Sequence, residues 1–405
     1  MSFTQTHTDT LIAEAITLLK PTWGQINNVK ETNQIKVIEA FRQAGIQNVH
    51  YNWSTGYGYD DLGKDKLDEL YSIYFNTEAA LVRPQLVSGT HAITCAVMGN
   101  LNAGDRLVCI GKPYDTLQTV YNKLSKKRGV DYQVVDYGIA TPPTAVRDDI
   151  IANAKLVSIQ RSRGYEWRDS YTIDYIESLI KRIRSINPHI IIFVDNCYGE
   201  FTQTREPTDV GADMIAGSLI KNPGGGIVAA GAYIAGRKDL IENAAEALTA
   251  PGIGAHGGCM FDQTRLYFQG FFMAPLIVSE ALKGMSLAAR VFSEIGLETT
   301  PSYDAERNDV IQAIKFNDRD KLIKFCQIVQ SYCPINSMFS PIPAEISGYD
   351  DEIIMASGSF IEGSSIELSV DAPLREPYIG YFQGGLSYAH TKYVIKKIIE
   401  VLGLI

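Results

Sequence analysis

Paired cysteine is what this 405-residue chain most plainly lacks. Its six cysteines, at 95, 109, 197, 259, 326 and 333, are scattered, and no two show Cys-x-x-Cys spacing. Several lie inside apolar runs, where a reduced cysteine behaves as a small hydrophobe. This excludes a disulfide framework and a thiol-based redox motif, and leads us to expect a reducing, cytoplasmic compartment. The six histidines, at 7, 50, 91, 189, 256 and 390, are equally dispersed, and no metal-ligand spacing appears. There is no Gly-x-Ser-x-Gly elbow, so Ser-His-Asp hydrolysis finds no support. Basic residues do not cluster beyond Lys126-Lys127-Arg128, which reads as a solvated helix end. With 37 Lys and Arg against 46 Asp and Glu, the net charge of -9 argues against a nucleic-acid surface. No signal peptide is read before the first helix, and no apolar run reaches membrane-spanning length, so a membrane partner is not expected.

What is present fits a globular enzyme. Apolar residues make up 45% of the chain and charged residues 20%. A chain this long buries a large core and is expected to divide. We expect an N-terminal helical segment over 1–50, a large domain over 51–295 and a small C-terminal domain over 296–405. Helical periodicity covers 9–20 and 29–44, with Pro21 breaking the first segment, and another helix follows over 64–75. From 85 to 236, short apolar runs alternate with amphipathic stretches. The runs include 107–110, 133–135, 155–159, 190–195, 214–216 and 227–235, with helices at 91–101, 114–128 and 172–185. That alternation predicts a mostly parallel sheet covered by helices on both faces. Beyond residue 238 the chain reads as helical to about 295. Mixed strands at 309–314, 352–360 and 365–370 follow, with helices at 318–331 and 387–402.

Four short segments carry chemistry, each at the end of an apolar run. Ser88-Gly89-Thr90 opens a helix, which suits either a phosphate or a plain N-cap. Tyr114 follows Gly111-Lys112-Pro113 at a strand end, where an aromatic either stacks on a ligand ring or packs in a turn. Asp195 closes Ile190–Val194, and a carboxylate there needs a cation or donor unless it caps a turn. Lys221 sits between Gly217-Ser218-Leu219-Ile220 and Asn222-Pro223 before three glycines, a run suited to close backbone approach to a ligand. Because the lysine precedes the glycines, the pattern is neither a Walker loop nor a dinucleotide fingerprint. A lysine amine that can form an imine and a carboxylate that can hold a ring nitrogen protonated are the minimal equipment for pyridoxal phosphate (PLP) chemistry.

The order of these segments resembles that of fold-type-I PLP enzymes. The chain looks closest to the cystathionine β-lyase and methionine γ-lyase-like branch linked by name to aluminium resistance. The most specific stretches are Val194 to Glu200, Gly211 to Gly225 and Asp371 to Tyr378. The resemblance implies an α/β, PLP-dependent transferase (aspartate aminotransferase-like) fold, with a mostly parallel sheet sandwiched by helices and a smaller α+β C-terminal domain. It implies Lys221 as the Schiff-base lysine, Asp195 as the partner of the pyridine nitrogen, and Tyr114 as the stacking aromatic. Ser88, Gly89, Thr90 and Ser218 would form the phosphate cup. It also implies a homo-oligomer, dimer or tetramer, in which Tyr57 or Tyr59 of one copy reaches its neighbour's phosphate. Two departures concern the substrate. The loop at 56–60 lacks the arginine of the better-known lyases, and Ile220 replaces their threonine. Arg375, or Arg161 or Arg163 at another strand end, would then hold a substrate carboxylate, unless each serves a structural ion pair.

The expected activity is carbon–sulfur lysis of a sulfur-containing amino acid, by β- or γ-elimination, giving a thiol, a keto acid and ammonia. Lys221, its pKa lowered by burial, would take the Cα proton, and Tyr114 would protonate the leaving group. The alternatives are an aminotransferase or related amino-acid enzyme, and a PLP-binding protein without robust turnover. The Gly-rich loop 251–258, containing His256, is expected to shape the site's mouth or a subunit contact. The Gly-rich stretch 378–386 has no assigned role.

Overall fold

The computed structural model describes residues 3–135 and 148–403. In chain order its first half comprises α1 (Phe3–Ala44), α2 (Leu62–Tyr74), β1 (Ala79–Arg83), α3 (Gly89–Gly99), β2 (Arg106–Ile110), α4 (Asp115–Arg128), β3 (Asp131–Val135), α5 (Asp148–Ile151), β4 (Leu156–Gln160), α6 (Ile173–Ile186), β5 (Ile191–Asp195), β6 (Met214–Ser218) and β7 (Ala232–Gly236). There follow α7 (Lys238–Leu248), α8 (Thr264–Glu294), β8 (Glu298–Thr300), β9 (Ile311–Lys315), α9 (Arg319–Ser331), β10 (Ile353–Ser357), β11 (Ser369–Pro373), β12 (Ile379–Gln383) and α10 (Tyr388–Leu402).

Strands β4 to β7 are buried along their whole length. A strand covered on both faces carries apolar side chains at successive positions, which is why these runs were legible as continuous. They form a seven-stranded sheet in the order β1-β7-β6-β5-β4-β2-β3, in which β7 alone runs antiparallel. Successive residues point to opposite faces. Val108, Val157, Ile192 and Ile215 pack with α1, α2, α6 and α8, whereas Leu107, Cys109, Phe193 and Met214 pack with α3, α4 and α7.

The second sheet is antiparallel, in the order β10-β11-β12-β9-β8. Its core joins Ile314, Val370 and Phe382 to Phe325 of α9 and Ile395 of α10. Here the sequence reading needs correction. The strand expected at 365–370 begins only at Ser369, and the unassigned Gly-rich stretch supplies β12. Gly384, at φ +73°, ends β12 where an added Cβ would lie 2.4 Å from the carbonyl oxygens of both Ser365 and Glu367. That close approach explains the glycine and fixes the segment carrying Ser365.

Two long helices tie the sheets together. In α1, Ile12, Ala15 and Leu19 enter the second core, and Ile26, Val37 and Ala40 the first. The helix runs unbroken through Pro21. An internal proline normally costs about 3 kcal/mol. Packing on both sides of it offsets that cost. Leu19 is fully buried, and Trp23 donates from Nε1 to Ser286 Oγ at 2.8 Å and meets the Tyr388 ring edge-on at 5.0 Å. By length and composition α8 is, among the described residues, the one helix able to cross a membrane, contrary to the expectation that no apolar run reaches that length; 67% of its most apolar stretch is buried inside the protein, as in a core helix. All six cysteines are free and buried.

Candidate active site

At the carboxyl ends of β5 and β6, and at the start of α3 and α4, lies a cavity of about 570 Å³. The turn Ser88–Thr90, Tyr114, Asp195, Ser218 and Lys221 all line it. The sequence thus named one wall of a single pocket. The opposite wall, from the second sheet, it did not name.

The Lys221 amine is held at a defined point. Nζ donates to Tyr198 OH at 2.8 Å and to Ser365 Oγ at 2.6 Å, and Ser365 Oγ donates to Tyr198 OH at 3.1 Å. The same amine lies 4.0 Å from the Tyr198 ring centroid. Tyr198 adopts φ +72°, and Asn222 Nδ2 holds that turn by donating to the carbonyls of Tyr198 and Glu200 at 2.9 Å. Burial disfavours charge on the amine, but Tyr198, Cys197 and Asp371 outweigh it, so the Lys221 pKa is raised and not lowered as expected. The glycines after it do not cradle a ligand. An added Cβ would come within 2.4 Å of the Gly270 carbonyl of α8 at Gly225 and within 2.4 Å of Leu386 Cδ2 at Gly226, so these glycines serve packing.

Asp195 is 2% exposed and forms no ion pair among the described residues; its Oδ1 accepts the Cys197 N–H at 3.1 Å. Burial pushes its carboxyl up to about 6, against the opposing effects of Cys197 and Lys221. Tyr114 N-caps α4, its N–H donating to Gln160 Oε1 at 3.0 Å, and its hydroxyl lies 2.7 Å from Thr90 Oγ1. Burial, reinforced by Asp195, raises its phenol well above the usual range, so it stays protonated at neutral pH.

At the start of α3, Ser88 Oγ accepts the His91 N–H at 3.1 Å, so the N-cap reading and the cavity position both hold. The first helical turn also presents backbone N–H groups with no helical carbonyl to bond. Gly89 is needed for space, because an added Cβ would lie 3.0 Å from Cys197 Sγ and 3.2 Å from Ser218 Cβ. The cavity therefore runs from the first turn of α3, past Tyr114, to the Asp195 carboxylate and the Lys221 amine.

The arginines named from sequence lie elsewhere. Arg163 donates to the Thr300 carbonyl at 2.8 Å and sits 3.7 Å from Asp309, 1% exposed. Arg375 pairs with Asp351 at 3.1 Å and with Asp115 at 3.5 Å. Arg161 is enclosed with Glu206 at 3.2 Å. None of the three lines the cavity. Each meets a carboxylate, so the structural ion pair prevails over the substrate-binding reading. Tyr57 and Tyr59 are exposed, stack at 5.4 Å, and do not line their own chain's cavity. The loop with His256 is docked through its backbone, the His256 carbonyl accepting from Lys64 Nζ at 2.6 Å.

Sequence reasoning missed Tyr198, Ser365, Asp371 and Gln383. Tyr198, three residues after Asp195, was within reach of a strand-end argument. Asp371 and Gln383 come from the second sheet and Ser365 from the segment leading into it, and no spacing links them to Lys221.

The family model described as methionine gamma-lyase matches residues 8–403. An uncharacterized protein, YnbB, of Bacillus subtilis (strain 168) is 44% identical over 391 residues, covering 93% of this chain and 92% of that protein. A solved structure described as a carbon-sulfur lyase involved in aluminum resistance, from Clostridium novyi NT, is 45% identical with a TM-score of 0.93, covering 98% of this chain and 96% of that one. The pyridoxal-5'-phosphate dependent protein YhfS from Escherichia coli, only 14% identical, has a TM-score of 0.61 over 93% of this chain and 97% of its own, and shares the fold. The mostly parallel sheet with a separate antiparallel sheet is thus the fold of PLP-dependent transferases, as expected from the sequence.

Proposed function

Because the chain belongs to the methionine gamma-lyase family, we propose that it is a PLP-dependent carbon–sulfur lyase that eliminates a thiol from a sulfur-containing amino acid. The observation that carries this reading is the convergence of Lys221, Asp195, Tyr114, Ser218 and the Ser88–Thr90 turn on one cavity. The residues fit the cofactor. The α3 N-terminus with Ser88, Thr90 and Ser218 would hold its phosphate, Tyr114 would cover its ring, and the unpaired Asp195 carboxylate would meet its ring nitrogen. When bound, the cofactor supplies an electron sink for charge developing at the substrate Cα.

The protein's own residues do the rest. In its neutral form Lys221 takes the Cα proton, the raised pKa being that of the protein without cofactor, and its bonds to Tyr198 and Ser365 fix where its nitrogen sits. Tyr114, kept protonated by burial, gives its proton to the departing sulfur. Both sheets contribute to the walls around the amine. Breaking the carbon–sulfur bond leaves an enamine that water converts to keto acid and ammonia.

The reading extends to assembly. Tyr57 and Tyr59 lie exposed and complete nothing in their own chain, which supports a homo-oligomer whose sites are shared. Six buried, unpaired thiols support a reducing, cytoplasmic setting. The two cores support a division into a large and a small domain near residue 295. The test is reconstitution with PLP. Wild-type protein is expected to show visible absorbance from lysine-bound cofactor and to release thiol and keto acid from a cysteine thioether. Lys221→Ala is expected to lose both. A variant that keeps the lysine-type band, or a wild type that only exchanges amino groups with an added keto acid, overturns the proposal.

A further inference from the structure

The cavity has a second acidic pole, coupled to Lys221 through charge but not through a hydrogen bond. Asp371 on β11 faces it. Its Oδ2 accepts from the Tyr165 hydroxyl and from Gln383 Nε2, both at 3.0 Å. Oδ1 takes no hydrogen bond, and Asp371 forms no ion pair, among the described residues. Ser369 lies two residues earlier on the same face of β11. It lines the same cavity and is 4% exposed, and its hydroxyl is without a partner. Tyrosines wall this end. Tyr165 and Tyr349 line it, their rings 6.0 Å apart, and Tyr381, outside the cavity lining, packs 5.3 Å from the Tyr165 ring. Among the described residues no arginine lines the cavity, and Lys221 is its one cation. At the mouth Glu362 adds a further carboxylate.

That chemistry sorts substrates by the group beyond sulfur. A carboxylate there would face Asp371 and Glu362, while the cavity's one cation, Lys221, is already held by Tyr198 and Ser365. An alkyl end would strip water from a carboxylate and leave it unpaired, which is costly. An ammonium meets a carboxylate and aromatic rings at once. We propose that Asp371, supported by Tyr165, Gln383 and Ser369, is the subsite for a second ammonium group, so that the substrates are thioether amino acids carrying an amine beyond the sulfur. This rests on the carbon–sulfur lyase reading and specifies its substrate class. Burial already pushes the Asp371 carboxyl up, a strain that an incoming ammonium relieves.

Three L-cysteine thioethers of similar size separate the possibilities: S-(2-aminoethyl), S-propyl and S-carboxymethyl. Elimination from the first breaks the Cβ–S bond, with both electrons leaving on sulfur. Lys221 takes the Cα proton and Tyr114 supplies one to the thiolate. Water completes the balance, giving 2-aminoethanethiol, pyruvate and ammonia. PLP-loaded wild-type protein and the D371N and D371K variants are compared by kcat/KM for pyruvate. Separately from turnover, dissociation constants are read from the absorbance change on titration. A charge-assisted hydrogen bond predicts a preference for aminoethyl over propyl of about 10- to 100-fold in both measures. D371N is expected to bring that ratio to within about 3-fold, and D371K to favour carboxymethyl. Ratios within one protein cancel any loss of fold or cofactor shared by all three compounds. The wild-type ratio tests the subsite even where a variant fails to fold. Equal handling of aminoethyl and propyl by wild type, or a ratio that survives D371N, overturns the subsite. Release of no thiol from any of the three, with the binding preference intact, overturns the lyase reading and leaves the subsite standing.

Discussion

Asp195 is a carboxylate that folding makes costly to ionise. Its pKa is pushed up to about 6 in the folded protein, against about 4 in an unfolded chain. Below pH 4 the group is protonated in both states and costs nothing. As pH rises from 4 to 6 the unfolded chain ionises first, and above 6 the whole cost of about 3 kcal/mol is in place. Cofactor-free wild-type protein should therefore lose stability over that window relative to Asp195→Asn. Melting curves without PLP are expected to coincide near pH 4 and to favour the variant at pH 8. Added PLP is expected to reverse the order, because the ring nitrogen supplies the missing partner. Parallel curves at all pH values contradict this. Lys221, Asp195 and Tyr114 were legible from sequence because each ends an apolar run. The arginines were not, since a guanidinium at a strand end looks the same whether it faces a substrate or a buried carboxylate such as Asp309.

Between elements, the proposed phosphate site depends on α3 fitting against β6. Gly89 allows that approach, and the first turn of α3 supplies the donors. Gly89→Ala would push a methyl against Cys197 Sγ and Ser218 Cβ. We expect about 1–2 kcal/mol of lost stability, and a PLP affinity at least about tenfold weaker. Chemical denaturation and titration of the visible band measure the two effects. Unchanged affinity would remove α3 from the phosphate site. Helices α4, α6 and α9 were readable to within a residue or two. Those at 115–128 and 173–186 alternate apolar and polar faces against a sheet, which is a local signal. Strand β12 was hidden by its glycines, and the purpose of Gly384, a backbone approach to residues 365 and 367, exists only in the folded chain.

For the whole molecule, α1 and α8 span both cores, so the cavity wall carrying Ser365 and Asp371 is held against the wall carrying Lys221 by helices remote from the chemistry. The exposed Tyr57–Tyr59 stack belongs to a larger assembly on our reading. Mixing tests it. Lys221→Ala subunits lack the amine but keep both tyrosines, whereas subunits with Tyr57 and Tyr59 replaced by Ala keep the amine. Co-refolded hybrids are expected to regain thiol release that neither parent shows. No recovery, with hybrids verified by mass, would place each site within a single chain.

By itself the sequence determined the alternating α/β region, the four strand-end segments and the cofactor class they suit. Those signals are local, because burial on both faces and the chemistry of a lysine after an aspartate are written in consecutive residues. Only the tertiary structure decided that Arg163 and Arg375 are engaged elsewhere, that Tyr198 and Ser365 hold the Lys221 amine, and that the far wall presents an acidic residue. Those outcomes turn on which side chains from two different sheets come within hydrogen-bonding distance, and separation along the chain carries no record of that.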